Sequence, residues 1–213
     1  MADDQISDFP GNDIEVHFDQ SLCIGIGECG RATGDLFQQG RTPWCMPDAS
    51  TPAEVREIVE RCPSGALSYS DKTGGPETPP SENRITVISD GPLYATGDLH
   101  IEGAPAEKPG LKTRAALCRC GKSQNKPFCD NSHRAAKFCD YGAVGDSGPG
   151  LETEGGPLEL KAIDHGPLLV KGNFKIRAAS GRIAWAGEKV ALCRCGASEN
   201  KPFCDAKHRE IDW

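Results

Sequence analysis

The sequence predicts an α+β chain in two parts: a small amino-terminal domain, then a duplicated unit of small antiparallel β-sheets with short helices, arranged as an internal pseudo-dimer. Three observations carry this. Residues 91–134 and 166–209 align without a gap at a constant offset of 75: Gly91-Pro92-Leu93 meets Gly166-Pro167-Leu168, Gly97 meets Gly172, and Ala116-Leu117-Cys118-Arg119-Cys120-Gly121 meets Ala191-Leu192-Cys193-Arg194-Cys195-Gly196. Gapless agreement points to duplication of one structural unit, and two copies are too few for a solenoid, so they pack face to face. Two Gly- and Pro-rich stretches, within 71–81 and 142–150, sustain neither a helix nor a central strand and read as linkers. Finally, the apolar residues alternate in the repeats but follow helical spacing before them.

The resulting division is 1–72 for the first domain, 73–83 for a linker, 84–139 for the first repeat, 140–156 for a second linker and 157–213 for the second repeat. Strands are expected at 84–89, 93–97, 115–117, 158–163, 168–171, 182–185 and 189–192; Leu158, Leu160 and Ala162 show the half-buried alternation, and Gly-Pro pairs mark turns. Thr51-Pro52-Ala53-Glu54 is a capping box with proline at the first helical position, followed by core positions Val55, Ile58 and Val59. That helix is expected to end at Cys62, because Pro63 disfavours helical angles in the residue before it.

Composition narrows the function. With 213 residues, 37% hydrophobic content, 25 Gly and 16 Pro, the cores are loop-rich and thin, and metal is expected to substitute for part of them. No run of about 20 apolar residues is present to span a membrane, and the acidic start Met1-Ala2-Asp3-Asp4-Gln5 does not resemble a signal peptide. The expected setting is a reducing cytoplasm, where eleven cysteines bind metal rather than pair. A net charge of −7 with no basic stripe argues against nucleic acid and suits either a basic redox partner or plain solubility.

The densest chemistry lies in the repeats. Cys118, Cys120, Cys129 and His133 recur with identical spacing as Cys193, Cys195, Cys204 and His208. Four soft donors per copy suit either a cluster of two tetrahedral irons, two ligands on each, or a single zinc in a Cys3His knuckle. Pro127 is suited to the first turn of a short helix, which would place Cys129 and His133 on one face. Cys118 and Cys120 reach a common metal only if the chain bends at Gly121 instead of continuing its pleat. Pro202 and Gly196 repeat the arrangement. Asp130 and Asp205 read as structural acceptors for nearby amides, and Lys126 and Lys201 as solvated.

Both copies of Cys-x-Cys-Gly-x-Ser-x-Asn-Lys-Pro-Phe-Cys-Asp-x-x-His resemble the CDGSH iron-sulfur domain, the three-cysteine, one-histidine [2Fe-2S] module of mitoNEET-like proteins. The resemblance implies that Cys118 and Cys120 hold one iron and Cys129 and His133 the more exposed one, with Cys193, Cys195, Cys204 and His208 doing likewise. Single-motif members form homodimers, so this chain is expected to be a monomer holding the equivalent pair internally. It departs from the family where the motif's glycine is Asn131 in one copy and Ala206 in the other. Since alanine tolerates left-handed angles poorly, the second copy is expected to turn with ordinary helical angles or to fail locally.

Before the repeats, Cys23-Ile24-Gly25-Ile26-Gly27-Glu28-Cys29 and a distant Cys62-Pro63 resemble a divergent single-cluster ferredoxin domain whose middle cysteine is Ile26. Three cysteines suffice for [3Fe-4S], the preferred reading; the rival is [4Fe-4S] completed by Cys45 or solvent. Cys45 reads as a buried apolar thiol. Cys139, His17, His100 and His165 are not expected to be ligands.

No nucleophile-base pair, phosphate loop or open metal position appears, so an enzyme is not expected. Two [2Fe-2S] sites and a ferredoxin-type site suit electron transfer with a redox partner protein; the alternative is a cluster donor to an apo-protein acceptor, or a pH- and redox-responsive sensor. Neutral imidazole in place of thiolate should place the potential above the roughly −400 mV of plant-type ferredoxins. It also lets protons compete for the metal-binding nitrogen. The visible absorption is therefore expected to bleach as the pH falls, and the His133→Cys/His208→Cys variant to keep its colour; equal bleaching of both proteins refutes the idea.

Overall fold

The computed structural model describes residues 6–213. The fold is mostly β rather than evenly mixed α+β: among the described residues, eleven strands accompany two α-helices of nine and four residues. Turns and 3-10 segments do most of the work that the sequence assigns to short helices. No helix among the described residues is long and apolar enough to cross a membrane.

In the amino-terminal half, β1 (Ile6–Phe9), β2 (Ile14–Asp19), β3 (Leu67–Asp71) and β4 (Gly75–Pro76) form an antiparallel sheet in chain order. Helix α1 (Pro52–Glu60) covers it. Its capping box forms as expected: Thr51 N–H donates to Glu54 Oε2 at 2.8 Å while Glu54 N–H donates to Thr51 Oγ1 at 3.4 Å. Val55, Ile58 and Val59 are buried. Trp44 gathers Phe9, Phe18 and Phe37 with ring centroids at 5.4, 5.2 and 5.1 Å, filling a core otherwise short of large side chains.

The repeats depart from two separate antiparallel sheets. Strands β5 (Arg84–Val87), β6 (Leu93–Thr96), β7 (Asp98–Ile101), β8 (Arg114–Leu117), β9 (Pro157–Ala162), β10 (Leu168–Arg177) and β11 (Ile183–Leu192) join into one mixed, nearly closed, barrel-like sheet. Helix α2 is the short Ser132–Ala135. Two parallel pairings exchange strands between the repeats: Ile176 of β10 lies beside Ile85 of β5, and Ile101 of β7 beside Leu160 of β9. These pairs are equivalent under the 75-residue offset, so the exchange obeys the internal two-fold. The pseudo-dimer is therefore built by shared strands rather than by docking of finished units. Alternation within one segment cannot reveal a partner strand 59 residues away, which is why β7 was not expected. The two strands expected at 182–185 and 189–192 run together as β11, which follows β10 through register shifts.

Two polar residues hold the crossings. Asn83, 1% exposed, donates to the Gly156 and Asn173 carbonyls at 2.8 and 2.9 Å and accepts from Asp98 N–H at 3.0 Å. Buried Arg114 of β8 donates to the Val59 and Leu67 carbonyls and to Glu77, fastening the amino-terminal half to the first repeat. One apolar cluster accordingly runs from Phe9 to Phe203 through both halves. Asn83→Ala leaves three part-buried backbone groups without their side-chain partner. Each lost hydrogen bond costs about 0.5–1.5 kcal/mol, so urea unfolding is expected to show a loss of about 2 kcal/mol or more; a loss below about 1 kcal/mol would mean that water replaces the amide.

Candidate metal centres

Both repeat sites form where a strand is stitched to a following loop. After β8, Cys118 N–H donates to the Pro127 carbonyl at 2.9 Å and Cys129 N–H to the Ala116 carbonyl at 2.8 Å. In the second repeat Cys193 bonds Pro202 at 2.8 Å and Cys204 bonds Ala191 at 2.9 Å. The hydroxyls of Ser123 and Ser198 donate to the Phe128 and Phe203 carbonyls, both at 2.7 Å, closing each loop.

The prolines do not open helices. The Lys126-Pro127 and Lys201-Pro202 peptides are cis, and α2 begins only at Ser132, beyond Cys129, while the second copy has just a 3-10 turn, Lys207–Arg209. Cysteine and histidine are instead brought together by a left-handed residue between them, Asn131 in one copy and Ala206 in the other, each with φ 70°. The expected helical angles at Ala206 are thus corrected. The loop closure imposed by Phe203, Cys204 and Asp205 outweighs alanine's preference. Asp205 accepts from the amides of Glu199 at 2.8 Å and Lys207 at 3.0 Å, which hold its carboxyl below the usual range. Asp130 does the same with Gln124 and Ser132 at 2.7 and 2.9 Å.

Donor spacing tests whether metal fits. The Cys118 and Cys120 sulfurs are 3.7 Å apart, as are those of Cys193 and Cys195. Cys129 Sγ lies 3.5 Å from His133 Nδ1, and Cys204 Sγ 3.4 Å from His208 Nδ1. Metal-sulfur bonds of about 2.3 Å and metal-nitrogen bonds of about 2.0 Å at a tetrahedral centre require roughly 3.8 Å between two sulfurs and 3.5 Å between sulfur and nitrogen. Each pair therefore fits one metal ion. The pairs do not merge: among the described residues, no three donors of either repeat site have their ligating atoms all within 4.8 Å of one another. A single tetrahedral zinc needs all four donors at the shorter spacing, whereas two metals need two pairs.

Burial and mutual hydrogen bonding set the protonation of the donors. Burial pushes the Cys129 thiol up to about 11 and raises Cys193. The hydrogen bond with Cys120 holds Cys118 at about 6 while the same bond raises its partner. Burial lowers His133, keeping the imidazole neutral and able to ligate. Behind the sulfurs, Arg119 is buried and donates to the Gly91 and Ile88 carbonyls at 2.7 and 2.6 Å; Arg194 repeats this on Ile163 at 2.6 Å and Gly166 at 3.3 Å. These arginines, alternating with the cysteines, were not recognised in the sequence, although their recurrence in both motifs was a visible signal.

The two sites meet back to back. A Cβ on Gly121, φ 79°, would lie 2.6 Å from the Cys195 carbonyl oxygen, and one on Gly196, φ 81°, would lie 2.8 Å from that of Cys120. Only glycine permits both the left-handed turn and this approach.

In the amino-terminal half, Cys23, Cys29 and Cys62 line one cavity of about 470 Å³. Helix α1 delivers Cys62 just past its end, where Cys62 N–H still bonds the Val59 carbonyl at 3.0 Å. Ile26, at the middle position, lines the same cavity and is 45% exposed. Cys45 does not line it; the thiol is 1% exposed within the apolar core, and burial pushes it up to about 12. Burial and the neighbouring Cys62 raise Cys29. Cys139 is exposed, and His17 bonds Asp8 at 2.7 Å and Ser70 at 2.9 Å.

Residues 9–72 match the family described as divergent 4Fe-4S mono-cluster, and residues 90–134 and 165–209 each match the iron-binding zinc finger of CDGSH type. The chain belongs to these iron-sulfur families. It joins a divergent mono-cluster domain to two CDGSH units. "Uncharacterized protein YjdI" of Escherichia coli (strain K12) is 42% identical over 64 residues, 30% of this chain and 84% of that protein. "Ferredoxin-2" of Streptomyces griseolus is 31% identical over 64 residues, 27% of this chain and 100% of that protein. No solved structure matches the chain. The mono-cluster and CDGSH domains are iron-sulfur-binding modules, so the geometry above concerns iron.

The left-handed alanine carries a stability cost. Ala206→Gly relieves about 1 kcal/mol of backbone strain. Thermal unfolding of the variant is expected at higher temperature; an unchanged or lower midpoint would show that the second CDGSH loop does not carry that strain.

Proposed function

We propose that this CDGSH protein is an electron carrier holding two [2Fe-2S] clusters, each through three cysteines and one histidine, and one ferredoxin-type cluster through Cys23, Cys29 and Cys62. The observation that carries this reading is the sorting of each CDGSH donor set into two pairs, each spaced for one tetrahedral metal and too far apart to share one ion. When bound, the clusters supply one-electron redox chemistry at nearly fixed geometry.

The chain's own residues do the rest. Cys118, Cys120, Cys193 and Cys195 grip the inner metal positions; Cys129 with His133 and Cys204 with His208 grip the outer ones. Asp130 and Asp205 fix the loops through backbone amides. Buried Arg119 and Arg194 place positive charge against an anionic occupant, and Arg194 of the second unit acts on Cys118 of the first. Cys23, Cys29 and Cys62 line the mono-cluster cavity and would hold the cluster, and Ile26 stands where the ferredoxin motif has its middle cysteine, which favours [3Fe-4S]. The family description favours [4Fe-4S] with a non-protein ligand as the second reading. The protein works as a carrier in a reducing cytoplasm, exchanging electrons with a redox partner protein rather than catalysing a reaction, and functions as a monomer without nucleic acid or membrane attachment. A cluster donor or sensor is the second functional reading, favoured by the partial exposure of Cys204 and His208.

Anaerobically purified protein is expected to be coloured, with iron and acid-labile sulfide in nearly equal amounts and no stoichiometric zinc. Electron paramagnetic resonance of the oxidised form is expected to show a three-iron signal that Cys62→Ser abolishes while the CDGSH absorption stays. Colourless, zinc-filled protein would end the carrier reading; a silent oxidised spectrum with full iron would select four irons.

A further inference from the structure

The two CDGSH sites share their donors but not their surroundings. Cys129 and His133 are 4% and 8% exposed, whereas Cys204 and His208 are only half-buried. What covers the first pair is the cysteine loop of the mono-cluster half. Ile24, next to Cys23, is buried against Ala116 and Cys129, with Tyr94 packed alongside. Asn131 Nδ2 donates to the Ile24 carbonyl at 2.5 Å, and Asn125 Nδ2 to the Ser21 carbonyl at 2.9 Å. Asn131 also donates its backbone N–H to Cys129 Sγ at 3.4 Å. One residue thus bonds at one end to the loop that holds Cys23 and at the other to a CDGSH sulfur.

The second unit has no such link. Ala206 stands where Asn131 would be and lacks a side-chain amide, and Asn200, the counterpart of Asn125, is exposed. Among the described residues no hydrogen bond joins residues 6–72 to residues 157–213. The second unit instead touches the first through Gly121 on the Cys195 carbonyl and Gly196 on the Cys120 carbonyl.

We propose that the three sites form an ordered row: the mono-cluster site exchanges electrons with the first CDGSH site through the Asn131 bridge, and the first with the second across the Gly121–Gly196 contact, the first CDGSH site being the enclosed middle and both ends reaching solvent. The inference rests on the carrier reading above. In each step one electron leaves one site, which is oxidised, and enters the next, which is reduced; no bond is made or broken and no proton moves. Asn131 is a positioning residue. Its departure from the glycine of the family motif supplies the amide that spans the two sites.

The test uses the full-length loaded protein, oxidised and mixed with less than one equivalent of the one-electron reductant dithionite, then frozen at increasing times for electron paramagnetic resonance. Asn131→Asp keeps the size of the side chain and its tolerance of left-handed angles but turns an acceptor toward the Ile24 carbonyl. Asn131→Gly keeps the backbone turn and removes the side chain. Both are expected to slow redistribution of the electron between the mono-cluster and CDGSH signals several-fold, with iron and sulfide contents unchanged. Asn200→Ala, at the exposed counterpart of Asn125, is expected to redistribute at the wild-type rate. Wild-type kinetics in both Asn131 variants, or equal slowing by Asn200→Ala, overturns the row while leaving the carrier reading intact. If Asn131→Asp loads poorly, Asn131→Gly decides alone. Wild-type protein without iron and sulfide defeats the carrier reading itself, an outcome seen in the metal assay before any kinetics.

Discussion

Two cysteines separated by one residue must bring their sulfurs to 3.7 Å, and most of the repeat architecture is a consequence of that demand. On a regular strand such residues share a face but sit about 6.6 Å apart along the chain. The strand must therefore stop and the backbone curl: β8 ends at Leu117 and β11 at Leu192, each one residue before its cysteine pair. Gly121 and Gly196 then turn left-handed, and because they carry no side chain each lies against the other unit's backbone. Curling the sulfurs together and packing the units back to back are the same event. Strand exchange between β5, β7, β9 and β10 extends this contact into a single sheet, so β7 has its strand partner only in the other unit.

The same two-fold is broken by the amino-terminal half. Arg114, Lys108, Asn125 and Asn131 all fasten it to the first unit, and Gly65 meets Gly110 so closely that neither position has room for a Cβ. Identical donors consequently sit in different dielectric surroundings. Burial shifts His133 and Cys129, and the second unit's outer donors keep contact with solvent. Duplication supplied two equal sites, and docking made them unequal, a difference that tunes a cluster through burial rather than through a change of ligand.

Backbone strain is tolerated where loop closure leaves no alternative. Asn131 and Ala206 take the same φ of 70° although only asparagine is suited to it. The hydrogen bonds from Cys204, Phe203 and Ser198 over-determine the loop, and the left-handed alanine is the residue left to absorb the turn. Where the first unit uses that position for a long-range hydrogen bond, the second keeps only the angle.

Much of the chemistry was legible in the chain itself. The close approach of Cys118 to Cys120 and of Cys129 to His133, and of their counterparts, was readable because ligand spacing is local, and the capping box at Thr51 and the burial of Val55, Ile58 and Val59 because helix signals span only a few residues. The burial of Cys45 and its absence from the mono-cluster cavity agree with a lone thiol read as apolar. What the tertiary structure alone decided is long-range: the parallel exchange that fuses two expected sheets into one, the clasp at Asn83, and the cover that Ile24 and Asn131 place over one site but not its twin. These depend on residues far apart in the chain, 59 positions for β7 with β9 and 91 for β5 with β10, or on which of two equal units a third packs against. A local pattern carries no information about either, because periodicity tells a side chain which way to face but not what it will face.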